Sequence, residues 1–292
     1  MTSVSHSHGT REDSYCLISY GDLPGGKRLS NVSEGLAELG WLNKVIHGDA
    51  VEVLKGLPEA SMDMVFADPP YNLQLKEGKK LIRWNRTVVD GVKEDWDRFD
   101  SFEDYDRFTE AWLGAVRRVM RPHATIWAIG TYHNIYRIGK AMQDLGFWVL
   151  NDVIWLKTNP VPNFLKVRFT NATETLIWAV RDRTEKKYYF DKVLAKKFGI
   201  GKVGANVWEI PLCIGKERLK DCDGVKLHST QKPERLLERV IQISSKVGDV
   251  VLDPFGGTGT TASVAKRLGR NFLTIERNAR YIPYIEARLG KA

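Results

Sequence analysis

The chain of 292 residues is long enough for one large α/β domain or two smaller ones, and its 43% hydrophobic content supplies a sizeable core. Lys and Arg number 44 against 36 Asp and Glu, and the net charge of +8 favours a polyanionic partner. No apolar run approaches the ~18 residues of a membrane span, residues 1–15 lack the apolar centre of a signal peptide, and Cys16, Cys213 and Cys222 lack metal-ligand spacing. A cytoplasmic protein with neither membrane nor metal partners is expected.

In chain order, residues 44–49 read as a strand, and Asp49 with Glu52 forms an acidic capping box opening a helix through Val53, Leu54 and Leu57. Residues 62–67 read as a buried strand ending at Asp68, where Pro69 and Pro70 forbid both ladder pairing and helix continuation. Residues 76–98 are charged and aperiodic, with Trp84, Asn85, Arg86 and Trp96 among lysines and arginines, as in a surface loop. Ser101 and Asp104 cap a helix whose Tyr105, Phe108, Trp112, Val116 and Val119 recur on one face. Strand 125–129, helix 135–145 and strands 148–155 and 175–180 continue the alternation of a largely parallel sheet. From 181 to 227 the periodicity fades into a basic, turn-rich segment. Pro233 then opens a helix with an apolar stripe of Leu236, Leu237, Val240 and Ile241, and strand 250–252, a glycine turn, helix 260–268 and strand 272–275 complete a βαβ unit.

Gly257-Thr258-Gly259-Thr260-Thr261-Ala262 satisfies the G-x-G-x-x-A fingerprint, and Glu276 stands where a ribose-binding acid belongs. No Lys-Ser/Thr pair follows the glycines, which excludes a P-loop. Asp253, two residues before Phe255, would repel a pyrophosphate but attract the ammonium and sulfonium of S-adenosylmethionine. Asp49 is a candidate for the adenine edge of that cofactor. Both acids have an alternative reading as caps, of a turn and of a helix.

Asp68-Pro69-Pro70-Tyr71 is suited to an exocyclic amine, whose lone pair is delocalised into its ring. The Asp68 carboxylate and the Pro69 carbonyl supply acceptors for the amine's N–H groups, and Tyr71 supplies a face for an extruded base. Direct in-line transfer needs no metal and no covalent intermediate.

These two motifs resemble the catalytic Asp-Pro-Pro-Tyr and the cofactor-binding Phe-x-Gly-x-Gly (Phe255 to Gly259) of the DNA amino methyltransferases. Their order, catalytic motif first, resembles the permuted β class. His228-Ser229-Thr230-Gln231-Lys232-Pro233 is similar to the segment of that class that contacts the methionine part of the cofactor, with Thr230 and Lys232 matched. Closer still is the resemblance to the cell-cycle-regulated (CcrM) and HinfI-type N6-adenine methyltransferases, carried by residues 67–75, 132–135, 156–160, 171–178 and 217–220. Gly256 departs from the aromatic residue common there, and the chain stops soon after Glu276, without the C-terminal extension of those relatives.

The resemblance implies an α/β, Rossmann-like S-adenosylmethionine-dependent methyltransferase fold, circularly permuted, with a mostly parallel seven-stranded sheet and helices on both faces. A partly disordered N-terminal extension is expected at 1–42 and a single catalytic domain at 43–290, with a DNA-contacting loop at 76–100 and a target-recognition insert at 181–227. The implied reaction is methyl transfer to N6 of a flipped-out adenine in a GANTC target. Trp84, Asn85, Arg86, Asn159, Asn163 and Arg168 are expected to touch DNA, and a homodimer is allowed. Transfer to N4 of cytosine, and a DNA-binding homologue with weak or no turnover, stay open as alternatives.

Overall fold

The computed structural model describes residues 18–19, 36–73, 81–82, 88–89, 97–163, 165–221 and 223–292. Its strands are β1 (Ile18–Ser19), β2 (Lys44–His47), β3 (Met62–Ala67), β4 (Leu81–Ile82), β5 (Val88–Val89), β6 (Met120–Gly130), β7 (Trp148–Lys157), β8 (Thr173–Val180), β9 (Val207–Ile210), β10 (Val250–Asp253) and β11 (Asn271–Glu276). The helices are α1 (Ala50–Gly56), α2 (Phe102–Val119), α3 (Ile135–Asp144), α4 (Lys192–Ala195), α5 (Glu234–Ser244), α6 (Thr260–Arg267) and α7 (Ile282–Leu289). Among the described residues, no helix is long and apolar enough to cross a membrane, and no group of His, Cys, Asp and Glu could hold a metal ion.

Local chemistry accounts for the helix starts. Asp49 accepts the Val51 and Glu52 amides at 3.0 and 3.3 Å and so caps α1, while Glu52 pairs with Lys55 at 2.7 Å instead of closing a reciprocal box. Ser101 caps α2 through the Asp104 amide at 3.0 Å, and the helix buries Tyr105, Trp112, Leu113, Val116 and Val119. Each such side chain contributes about 1.5–3 kcal/mol by leaving water. One face of the sheet packs against α1, α2 and α3, with Leu36 and Trp41 in the same core. The other face packs against α5, α6 and α7 around Trp127, Trp155, Trp178 and Trp208, the first and third of these stacked at 5.2 Å.

The main sheet has the order β1-β2-β11-β10-β3-β6-β8-β7-β9. The expected seven strands are its centre, and two short edge strands extend it to nine. One, β1, lies in the expected N-terminal extension; most of residues 1–35 lie outside the described residues, and 36–42 belong to the main body. The other, β9, corrects the reading of 181–227 as one irregular insert. It pairs in parallel with β7 and buries Trp208 and Ile210, because the lysines that mask its pattern lie outside the strand.

The sheet is mostly parallel, but β8 runs antiparallel to both β6 and β7. No helix is described between β7 and β8, so the chain returns beside β7 without the crossover a parallel pair needs. The loop expected at 76–100 contains the antiparallel pair β4 and β5.

Candidate active site

Strands β2, β3, β10 and β11 end side by side, with Glu276 opposite His47 and Asp253 opposite Thr274. Ligands of open α/β sheets bind beyond such carboxyl ends. A cleft of about 1540 Å³ opens there, and the two sequence motifs, far apart in the chain, both line it. Asp68, Pro69, Pro70 and Tyr71 form one wall; Asp49, Thr230, Lys232, Asp253, Phe255, Gly257, Thr258 and Glu276 complete it.

Asp68 follows β3, and its Oδ2 accepts the Lys232 ammonium at 2.5 Å. Its Oδ1 is buried without a hydrogen-bond partner. Burial raises the Asp68 carboxyl above its usual range, against the lowering influence of Lys232. The Lys232 ammonium also donates to the Thr230 carbonyl at 3.2 Å and lies 5.1 Å from the centre of the Tyr71 ring. Lys232, expected at the cofactor, thus joins Thr230 to Asp68 of the expected catalytic motif.

Tyr71 is 7% exposed, and its hydroxyl donates to Glu174 Oε2 at 3.0 Å. Burial, then the charges of Asp68 and Glu174, push the phenol well above its ordinary range. The backbone of the same loop is held by Asp97, which accepts the amides of Tyr71, Asn72 and Leu73 at 2.5, 2.8 and 3.1 Å. The Pro70 carbonyl accepts the Tyr105 hydroxyl at 2.8 Å and the Asn134 amide at 3.4 Å, so it is occupied from behind; Pro69 lines the cleft.

In the glycine turn, Asp253 Oδ1 accepts the Phe255 amide at 2.9 Å, so the acid does cap the turn while facing the cleft. Glu276 takes the Gly257 amide on Oε2 and the Asn278 amide on Oε1, each at 2.6 Å. Gly257 has φ 53° and would have a Cβ no closer than 3.6 Å to His228, which leaves its backbone approachable by a ligand. Gly259 has the opposite task. It has φ 72°, and a Cβ there would lie 2.5 Å from Ile285, so its small size lets α7 pack beneath the turn. At Gly256 a Cβ would come within 2.4 Å of Thr274, which accounts for the missing aromatic residue. An open turn with acids at two strand ends fits S-adenosylmethionine, a cation with a ribose diol.

Of the residues expected at DNA, Trp84, Asn85 and Arg86 lie outside the described residues. Asn159 Oδ1 accepts the Leu212 amide at 2.7 Å, tying its loop to the segment after β9, and Asn163 donates to the Arg168 carbonyl at 2.6 Å, bracing its own loop. Arg168 donates to the Tyr132 hydroxyl, and its neighbour Phe169 is 98% exposed; neither lines the cleft. Sequence reasoning missed Asp97, Lys157, Glu174 and Arg288. Arg288 on α7 reaches Thr258 O, Thr260 Oγ1 and Glu234 Oε1 at 3.3, 2.9 and 2.7 Å, tying that helix to the turn. An arginine on the last helix gave no signal except its place among apolar neighbours.

Among known proteins, the type II methyltransferase M.HinfI of Haemophilus influenzae is 52% identical over 249 residues, covering 85% of this chain and 68% of the relative. The type II methyltransferase M2.LlaDCHI of Lactococcus lactis subsp. cremoris is 40% identical over 247 residues, covering 85% and 89%. The M1.HpyAVI–SAM complex superposes with a TM-score of 0.61 at 26% identity, over 84% of this chain and 98% of that one. The cytosine-N4-specific PvuII DNA methyltransferase shares the fold, with a TM-score of 0.65 at 22% identity over 84% and 85%. The DNA methylase model for N6 and N4 enzymes matches residues 62–287, from the strand that leads to Asp68 to the helix beneath the glycine turn. The chain therefore belongs to the N6/N4 DNA methylase family.

Proposed function

We propose that this DNA methylase transfers a methyl group from S-adenosylmethionine to the N6 amino group of an adenine turned out of the duplex. The observation that carries the reading is Asp68 Oδ1, a buried acceptor without a partner, in the same cleft as Tyr71 and the glycine turn. S-adenosylmethionine, held by Asp253, Glu276, Asp49 and the backbone at Gly257, supplies the methyl group. Asp68 accepts an N–H of the target amine and draws its lone pair out of the ring, while Lys232 orients the carboxylate and opposes the burial that raises it. Tyr71 stacks on the base.

Adenine is favoured over cytosine by the identity with M.HinfI together with the HinfI-type motifs; a GANTC target is added to the proposal only by the resemblance of the sequence motifs to the cell-cycle-regulated enzymes. The type II relatives support a role alongside a restriction nuclease. DNA runs over Arg168 and Phe169, with further contacts from loop 76–100 and segment 181–227, and a homodimer belongs to the same proposal. The test is incubation with unmethylated DNA and a labelled donor, followed by mapping of modified bases. N6-methyladenine within GANTC is expected; label on cytosine N4, or none, rejects the reading.

Cofactor binding should depend on pH through Asp253. Burial, chiefly, pushes its carboxyl from 3.8 up to about 7, the Thr261 and Phe255 hydrogen bonds opposing it. A cationic ligand favours the ionised form. Affinity is therefore full above pH ~7 and falls by up to about tenfold per unit below it. In the free protein the sign reverses: the folded state holds this proton more tightly than the unfolded chain, so stability declines as pH rises from about 4 to about 7. Titration calorimetry from pH 5.5 to 8.5 checks this, and the same slope in Asp253→Asn would sink it.

A further inference from the structure

Three buried ionic groups, Glu174, Lys157 and Lys232, meet the partly buried Asp68 around Tyr71. Glu174, at the start of β8, is 8% exposed, and its Oε1 lies 2.9 Å from the ammonium of Lys157, itself 8% exposed at the end of β7. Glu174 Oε2 accepts the Tyr71 hydroxyl at 3.0 Å and lies 3.9 Å from the ammonium of Lys232, which is bonded to Asp68. Two carboxylates and two ammonium groups make the cluster formally neutral, as burial demands. Asp68 lies near enough to the phenol to be its alternative acceptor. A buried phenol without Glu174 would turn to Asp68, because a buried O–H does not stay unpaired.

We propose that Glu174 is a positioning residue: by taking the Tyr71 hydroxyl and holding it against Lys157, it leaves Asp68 Oδ1 open for the target amine. The proposal rests on the amine-methylating reading above. It makes the phenol a competitor for the catalytic acceptor, restrained by a carboxylate from a distant strand. The ring is fixed at both ends, its backbone by Asp97 and its hydroxyl by Glu174.

Replacing the ion pair with apolar residues, Lys157→Met with Glu174→Leu, leaves no buried charge unpaired within it and so preserves the fold. Single-turnover methyl transfer by this double variant should fall by about 10–100-fold, the worth of one misdirected buried hydrogen bond. Cofactor affinity should stay within about twofold, since the pair lies off the cofactor wall. Glu174→Gln combined with Lys157→Met, which keeps a carbonyl for the phenol with no ammonium competing for it, should recover most of the rate. Adding Tyr71→Phe to the apolar double variant removes the competitor, so the apolar pair should cost less than about threefold in that background. A crystal structure of the apolar double variant should have the Tyr71 hydroxyl on Asp68, a readout that holds even if wild-type protein methylates nothing and the parent reading fails. A phenol that does not move to Asp68, or equal rate losses with Tyr71 and with Phe at this position, overturns the proposal.

Discussion

Asp68→Asn is expected to slow single-turnover methyl transfer by about 10²–10³-fold, the scale of losing one preorganised group at a reacting centre. The substitution keeps size and leaves a carbonyl for Lys232, so cofactor affinity should change by less than about threefold and the protein should remain folded. What it removes is charge on the acceptor. A neutral amide accepts the amine's N–H more weakly, and rotated the other way it offers N–H groups of its own, which repel both Lys232 and the substrate. Asp68→Ala separates catalysis from stability. It strands the Lys232 ammonium, 6% exposed, with the Thr230 carbonyl at 3.2 Å and Glu174 at 3.9 Å, so it should also destabilise the fold by about 3–5 kcal/mol. Comparing rates and denaturation midpoints of the two variants decides the matter. Wild-type turnover in Asp68→Asn would remove this carboxylate from the mechanism.

The residues that sequence made legible are those whose chemistry is local. Asp68 to Tyr71 and Phe255 to Gly259 each declare a strand end, a turn and a functional group within five consecutive positions. The βαβ alternation likewise reads from burial patterns such as the unbroken core run of β3. Direction is another matter, because a strand's pattern is the same either way; the reversal of β8 could have been inferred only from the lack of a helix between Trp155 and Glu174. Lys157 and Glu174 were hidden for the same reason. Each looks like an ordinary charged residue at a strand terminus, and only the antiparallel pairing, which sets Trp155 opposite Glu174, brings them together. Lys232 was found by its motif but assigned to the cofactor alone, since the 2.5 Å contact with Asp68 spans 164 positions in the chain. Asp97 was read as part of an aperiodic loop, where one acid among other charged residues (Lys93, Glu94, Asp95, Arg98) invites no special attention.

That acid should carry the second large effect. Asp97→Ala is expected to lower stability by about 3–5 kcal/mol and to slow methyl transfer at least about 100-fold. Asp97 is 5% exposed, and burial raises its carboxyl above the usual range while three backbone N–H bonds pull it back. Hydrogen bonds to a charged acceptor contribute about 1.5–3 kcal/mol each, and the amides of Tyr71 and Asn72, both buried residues, lose this acceptor. Asn72 sits at φ 53°, a conformation that side-chain-bearing residues seldom adopt, so the loop relaxes once the clamp is gone. Relaxation moves Tyr71 off its stacking plane and the neighbouring Asp68 off its line to the amine. Asp97→Asn should fall between: its carbonyl can keep the Tyr71 and Asn72 amides, but its NH₂ then faces the Leu73 amide, donor against donor, for a loss of about 1–2 kcal/mol. Denaturant unfolding and single-turnover kinetics on the pair test the clamp. An alanine variant with wild-type rate and midpoint would mean that the Pro69-Pro70 dipeptide holds the loop unaided, and that the three bonds only report its shape.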